Sequence, residues 1–414
     1  MELLEKLEIL ANSAKYDASC ASSGSQRKGG NFGSAHISGI CHSWSGDGRC
    51  VSLLKILLAN ICEYDCAYCI NRKSNNIKRT AFSADEICRL TVEFYRRNYI
   101  EGLFLSSAVL KNPDFTMELM IKAVKKLRCE YGFCGYIHFK VIPGCDLKLV
   151  KEASRLADRV SVNLELPDHK SLERLCPEKN KESVFKPMKY AADLIMESKM
   201  SKTLKMAPAG QSTQLIVGAD ENTDSKILNL AQWLYSKIYL KRVYYSGFVR
   251  VNEDNRLPLI KDTPLLREHR LYQADWLMRF YDFSAREILE EGQNLSLAFD
   301  PKTAWALKNL DRFPVEVNKA DYQTLLRVPG LGILSAKKII KARKFTNITM
   351  EGLKNMGISL KKAVYFITLN GKYYGLRTDN KEKLENLLLE YKQQELFDPA
   401  DLSRTWFSAN TGQI

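Results

Sequence analysis

The residues best suited to chemistry lie in one short run, Cys62-Glu63-Tyr64-Asp65-Cys66-Ala67-Tyr68-Cys69. Thiolates are soft ligands that suit zinc and iron–sulfur centres. Three of them at spacings of four and three residues can wrap one face of a cuboidal iron–sulfur cluster. Such clusters normally take four cysteines, so a three-cysteine loop leaves one iron open to bind something else. Zinc is the competing reading, but a structural zinc site needs a fourth ligand and its cysteines usually come in paired hooks. The chain has eleven cysteines and no second hook. An odd count without an export signal argues against a disulfide framework. Cys20, Cys41 and Cys50 precede the loop, with His42 beside Cys41, at intervals that match no compact metal hook. Cys88, Cys129, Cys134, Cys145 and Cys176 have no ligand-like grouping and read as small buried side chains.

The elements that must position this loop are legible in the apolar pattern. Residues 16–48 are rich in Gly and Ser and keep no period, so they read as a long loop or N-terminal lobe. From residue 50, strand-length apolar runs alternate with helical patterns through six cycles. The expected strands are 51–60, 102–108, 135–141, 159–166, 211–218 and 242–248. Such alternation predicts a parallel α/β architecture, and six units predict a partial (βα)6 barrel rather than the closed eight-stranded one. Ser83 with Glu86 three residues on forms a capping box that opens the first helix. Trp276, Phe280 and Phe283 fall at helical spacing near 266–290 and read as core contacts. The expected boundaries are an N-terminal extension over 1–48, the barrel over 49–290, a small all-α domain over 291–377 and an acidic, partly disordered tail over 378–414. No internal repeat is evident.

The loop, the strand before it and the barrel pattern resemble the radical S-adenosylmethionine superfamily, whose hallmark is C-x3-C-x-aromatic-C after the first strand. Tyr68 supplies the aromatic. The resemblance implies a 4Fe–4S cluster on Cys62, Cys66 and Cys69. It also implies S-adenosylmethionine on the open iron and a 5′-deoxyadenosyl radical released by one electron from a donor such as flavodoxin or ferredoxin. Ser106 and Ser107 stand where relatives often carry an acid for the methionine amino group. Ser161, Asn163 and Glu165 share one strand face, and Asn163 and Glu165 are expected at the ribose and methionine parts of the cofactor. The run Gln214 to Glu221 resembles the superfamily's adenine motif, which assigns Ile216 and Gly218 to the cofactor. His138 and Lys140 alternate on the third strand and are catalytic candidates, as is Cys41 as a hydrogen-atom donor. Arg267, His269 and Arg270 offer a phosphate contact or simply a charged helix start.

Residues 325–340, LLRVPGLGILSAKKII, resemble the helix–hairpin–helix motif. Its glycines permit positive φ and expose successive backbone N–H groups, and the following helix adds the positive end of its dipole. The resemblance implies a cradle for a nucleic-acid phosphate built from Gly330, Gly332, Ser335, Lys337 and Lys338. Contact to phosphate reads no sequence, so sequence-tolerant, salt-sensitive DNA binding is expected. No Asp lies between Gly332 and Arg377, so the resemblance does not extend to a DNA glycosylase. The charge agrees with a polyanionic partner: the net is +14, with twelve Lys or Arg against three acids in residues 314–377. In the tail, Gln393-Gln394-Glu395-Leu396-Phe397 resembles the peptide that docks bacterial repair proteins to the sliding clamp.

Over residues 10–375 the chain is similar to a family of radical S-adenosylmethionine proteins assigned to DNA modification or repair. The implied function is radical chemistry on a base, sugar or lesion in DNA. Two alternatives are a radical enzyme acting on RNA such as transfer RNA, and a non-enzymatic, metal-stabilised nucleic-acid binder. The N-terminal MELLEKLEIL carries acids within its apolar pattern and reads as an amphipathic helix, not a secretory signal. No apolar run reaches the ~20 residues of a membrane span. A cytoplasmic location is expected.

Overall fold

The computed structural model describes residues 1–14, 40–44, 50–201, 203–375 and 381–396. Two compact units emerge, one comprising 1–221 with 233–264, the other 222–232 with 265–414.

The first unit is built on a seven-stranded sheet whose spatial order is its chain order. The strands are β1 (Ile40–Trp44), β2 (Cys50–Leu57), β3 (Gly102–Ser106), β4 (Tyr136–Lys140), β5 (Arg159–Ser161), β6 (Gln211–Val217) and β7 (Arg242–Gly247). β2 to β7 are parallel throughout, giving the curled six-stranded half-barrel expected from the alternation. Within residues 16–48, read as a long loop or N-terminal lobe, the described residues 40–44 form β1, a strand not expected there. It pairs antiparallel with β2, Cys41 opposite Leu53 and Trp44 opposite Cys50, and adds a strand to the edge. The helices are α1 (Leu3–Ala14), α2 (Ala84–Arg96), α3 (Pro113–Cys129), α4 (Leu147–Leu156), α5 (His169–Leu175), α6 (Lys181–Met200) and α7 (Asp224–Lys237), the last passing from one unit to the other. The capping box is present: Ser83 accepts from the Glu86 amide and Glu86 from the Ser83 amide. Lys6 of α1 bonds both oxygens of Glu86, so the same carboxylate also anchors the N-terminal helix.

The second unit is helical, with α8 (Leu265–Phe280), α9 (Ala285–Ile288), α10 (Pro301–Lys308), α11 (Tyr322–Arg327), α12 (Ile333–Ala342), α13 (Met350–Asn355), α14 (Leu360–Ala363) and α15 (Lys381–Leu396). A small sheet joins them, made of β8 (Val315–Glu316), β9 (Ile367–Leu369) and β10 (Lys372–Tyr373). The aromatic stripe near 266–290 does not lie on one helix. The chain breaks after Phe280, with Asp282 at φ 58°, so Phe283 is buried while Phe280 is exposed. Arg267 is satisfied by Asp224 at 2.7 Å, and Arg270 is buried against Gln273 and the Leu297 carbonyl.

The hairpin forms between α11 and α12. Gly330 has φ +83°, a conformation L side chains rarely adopt. Gly332, by contrast, caps α12 with φ −95° and needs no such freedom. An internal repeat, overlooked in the sequence, appears 27 positions later. Gly357-Ile358-Ser359 repeats Gly330-Leu331-Gly332, with Gly357 at φ +71°. Ala336 and Ala363, six residues beyond each turn's first glycine, are both fully buried. The first turn meets the helix that follows the second: a Cβ on Gly330 would sit 3.2 Å from the Ala363 amide nitrogen in α14. The signal is weak because Met356 and Ser359 replace the Pro and second Gly of the first copy.

Candidate functional site

The three-cysteine loop begins where β2 ends, and three clamps hold its backbone. The Arg79 guanidinium donates to the carbonyls of Asn60, Asn71, Arg72 and Asn75 at 2.5–2.9 Å. Asn252, seven per cent exposed and arriving from beyond β7, donates to the carbonyls of Ala67 (2.7 Å) and Cys69 (2.9 Å) and accepts from Asn75 (2.7 Å). The Ala67 amide bonds the Leu175 carbonyl at the end of α5 (2.7 Å). A loop without regular structure thus has its carbonyls paired, which buried polar backbone requires. Sequence reasoning missed Arg79 and Asn252, because neither type is diagnostic of a metal site.

A cavity of about 240 Å³ opens at the C-terminal ends of the parallel strands, and Cys62, Cys66 and Cys69 all line it. Each parallel strand sends a residue there from its end or the loop that follows, among them Ser107, Lys140, Asn163, Gln214 and Ser246. This is the face where (βα) barrels place their chemistry. Of the expected cofactor contacts, Tyr68, Ser107, Asn163, Glu165 and Ile216 line the cavity. Ser106 is fully buried and does not, and Gly218 lies outside the lining with φ +86°. Asn163 donates to Glu165 and to Gln214, both at 3.2 Å. Glu165 adopts φ 64°, an unfavourable conformation for a non-glycine residue and one that clusters at functional sites.

The two candidates on β4 separate. Lys140 lines the cavity. His138 lies a layer below, bonded to Ser161 (3.0 Å) and edge-on to the Phe104 ring (4.4 Å). Burial, then the cations of Arg159, Lys140 and Lys55, hold it well below its ordinary pKa of 6.5. It is a neutral core residue outside the cavity, which corrects its reading as a catalytic candidate. Cys20 lies outside the described residues, and of Cys41 and Cys50 only the strand backbone is described.

Cys176 corrects the sequence reading most. It is fully buried, as expected, but its sulfur lies 2.9 Å from that of Cys66. Cys66, Cys176 and Glu178 bring their ligand atoms within 4.8 Å of one another. Glu178 also accepts from the Asp65 amide (3.0 Å), and Lys179 lines the cavity 4.0 Å from Glu165. The signal was present in the run Cys176-Pro177-Glu178-Lys179, which directly follows α5. Cys129 and Cys134, expected to be buried, are exposed.

The electrostatics keep the loop thiols neutral and Lys179 charged until a metal binds. Burial pushes Cys69 up to about 12 and raises Cys62. The hydrogen bond to Cys176, then burial, raises Cys66. Burial alone would lower Lys179, but the sulfurs of Cys176 and Cys66 and the Glu165 carboxylate raise it. Thiols held protonated by a dry environment become ligands when a metal displaces their protons. The Tyr68 hydroxyl and the side-chain amide oxygen Oδ1 of Asn71 are buried without hydrogen-bond partners, as expected of a wall built to face a guest. Soft sulfur donors on one wall of a cavity, with polar groups opposite, fit an iron–sulfur cluster and its organic ligand.

Residues 56–234 match the model of the radical SAM superfamily, from the end of β2 into α7. This segment is a radical SAM superfamily domain. Its radical SAM half-barrel is similar to solved structures at low identity. The FeFe-hydrogenase maturase HydG from Carboxydothermus hydrogenoformans is 15% identical over 48% of this chain and 46% of its own, with TM-score 0.38. The chain thus spans about half the length of that maturase. Methylornithine synthase is 14% identical over 84% of each chain, with TM-score 0.40. A radical SAM methyltransferase from Sphaerobacter thermophilus is 13% identical over 56% of this chain and 70% of its own, with TM-score 0.37. Likeness at this level says nothing of substrate. No curated protein matches the chain. Among the described residues no helix is long and apolar enough to cross a membrane.

Proposed function

We propose that this radical SAM enzyme acts on DNA, modifying a base or sugar or reversing a lesion. Cys62, Cys66 and Cys69 would hold the cluster. Bound there, a 4Fe–4S cluster supplies the single electron that radical S-adenosylmethionine chemistry needs. The chain's own residues bind and orient. Ser107, Asn163, Glu165 and Ile216 offer the organic cofactor polar and apolar contacts around the cavity. Tyr68, Leu166, Leu172 and Phe248 form the apolar packing that keeps water from the thiols.

The DNA reading is carried by the hairpin. Gly330 is left-handed, and Gly332 starts the ten-residue α12 with no side-chain cap. The first amides of α12 therefore lack a capping side chain and suit a phosphate oxygen. Lys337, Lys341 and Lys344 are exposed on the same helix or just past it. Lys338 is also exposed but donates to the Met356 carbonyl (2.7 Å), and Arg343 donates to the carbonyls of Val317 and Ala320. The first group supplies attraction; the second braces the fold. Docking to a sliding clamp through 393–397 stays part of this proposal; only the backbone of 393–396, within α15, is described.

The test is to incubate reduced, reconstituted protein with S-adenosylmethionine and duplex DNA, and in parallel with transfer RNA. DNA-dependent 5′-deoxyadenosine together with a mass-shifted deoxynucleoside is expected. Product formation with RNA alone would replace this reading by the RNA one. Stoichiometric zinc and no S-adenosylmethionine cleavage would leave only a metal-stabilised binder.

A further inference from the structure

The hairpin that carries the DNA reading encloses a lysine that the reading leaves unused. Lys302, two per cent exposed in the first turn of α10, donates through Nζ to the carbonyl of Leu331, the residue between Gly330 and Gly332. Three further groups face it. The ammonium stands 4.9 Å from the centre of the Tyr281 ring, just past α8. Asp300, the cap of its own helix, is engaged elsewhere: it accepts from the Thr303 amide (2.9 Å) and hydroxyl (2.7 Å) and from Lys362 of α14 (3.1 Å). Arg327 of α11 is tied to Glu287 of α9 (2.8 and 3.0 Å). Lys302 is thus buried with no ion pair of its own among the described residues. Burial pushes its pKa down to about 7, Asp300 opposing the fall and Arg327 adding to it.

A lysine is almost never fully buried unless it is paired. Three roles are open to this one. It is badly set to be a nucleophile, because it is shut away from any substrate. As a plain brace it is a poor choice, because a neutral donor would hold the carbonyl without the cost of burying a charge. The neighbouring carbonyls of the turn are held in that neutral way, Val328 by the Leu331 amide (3.1 Å) and Gly332 by the Ala336 amide (2.9 Å). What a charge adds is attraction for an anion on the first amides of α12, in a setting where screening is weak.

We propose that Lys302 is the buried positive charge of the phosphate cradle: it holds the turn through the Leu331 carbonyl and strengthens the turn's grip on a nucleic-acid phosphate without touching it. The inference rests on the hairpin reading and deepens it. Lys302 is a positioning residue, and its signature is in pH. A phosphate at the turn favours the charged amine and raises its pKa above the free value, so binding takes up a proton. Affinity is then greatest below pH 7 and is lost as pH rises through and beyond it.

The experiment uses the full chain and a labelled DNA duplex, with wild type, Lys302→Met, Lys302→Gln and Lys337→Ala, each checked for folding by a thermal melt. Fluorescence anisotropy should show wild-type affinity falling roughly five- to tenfold from pH 6 to pH 8.5. Lys302→Met, and Lys302→Gln with its neutral donor, should bind more weakly at pH 6 and stay flat over that range. Their slope of log affinity against log salt should match wild type, because no phosphate contact is removed. Calorimetric titration of the wild type in two buffers of different ionisation enthalpy reads the proton directly and needs no variant. A wild type that takes up no proton, or a Lys302→Gln variant with wild-type affinity and pH profile, would overturn the proposal. If Lys337→Ala makes the salt slope shallower while Lys302→Gln changes nothing, the hairpin reading stands and this inference alone falls. If the wild type binds no duplex, both fall.

Discussion

At the residue scale, the site depends on side chains that do no chemistry. Asn252 spends its amide on two loop carbonyls and its oxygen on Asn75. Asn252→Ala leaves the Ala67 and Cys69 carbonyls without these donors, at a cost of roughly 2 kcal/mol. Asn252→Asp should cost more, because it turns a donor into an acceptor facing two acceptors. Urea denaturation of the protein should show both losses, and iron retained after reconstitution should fall in the same order. Equal stability of the two variants would mean the clamp is not made. His138 gives a second prediction, read from pH. Its folded pKa lies well below 6.5, from burial and then from the Arg159, Lys140 and Lys55 charges. The unfolded chain therefore takes up a proton near pH 6.5 that the folded chain refuses, and stability falls as pH drops below about 6.5. His138→Gln should flatten that loss between pH 6.5 and 5 while leaving the pH profile of S-adenosylmethionine cleavage unchanged. A profile that moves with His138 would return it to the catalytic candidates.

At the element scale, what could be read in advance was whatever is local. The six parallel strands follow from apolar runs such as Val51–Leu58, and the cluster loop from eight consecutive residues. The partners that complete the site are not local: Cys176 meets Cys66 across 110 positions and Asn252 meets Ala67 across 185. β1 was illegible because five residues, ICHSW, show little alternation and a Gly- and Ser-rich stretch surrounds them. β8 and β10 have two residues each, too few for any period. The hairpin pair is an intermediate case, since only Gly330-Leu331-Gly332 is complete enough to recognise alone. Its packing makes a prediction. Gly330→Val imposes a β-branched side chain on φ +83° and drives it toward the Ala363 amide. A cost of about 2–3 kcal/mol is expected. Gly332→Ala, at an extended backbone position, should cost less. Thermal unfolding should separate the two variants, and equal losses would show that the Gly330 turn does not pack against α14.

At the scale of the whole molecule, one chain joins a unit shaped for radical chemistry to a unit that contains a strongly basic segment. Residues 314–377 hold a net +9 out of +14, while 378–414 hold −3. If DNA is the partner, this asymmetry must appear in the salt dependence of binding. Each phosphate neutralised contributes about −0.9 to the slope of log affinity against log salt concentration. Lys337→Ala and Lys341→Ala remove exposed charges that pair with no acid among the described residues, and each should make the slope shallower by about 0.9 if it meets a phosphate. Arg343→Ala should behave differently. Its guanidinium braces the Val317 and Ala320 carbonyls, so its loss should lower the unfolding temperature more than it alters the slope. Fluorescence anisotropy of a labelled duplex over a potassium chloride series reads the slopes, and a thermal melt reads the brace. Slopes that stay fixed in both lysine variants would mean that the charge of this unit is a solvated face and that DNA reaches the enzyme by another surface.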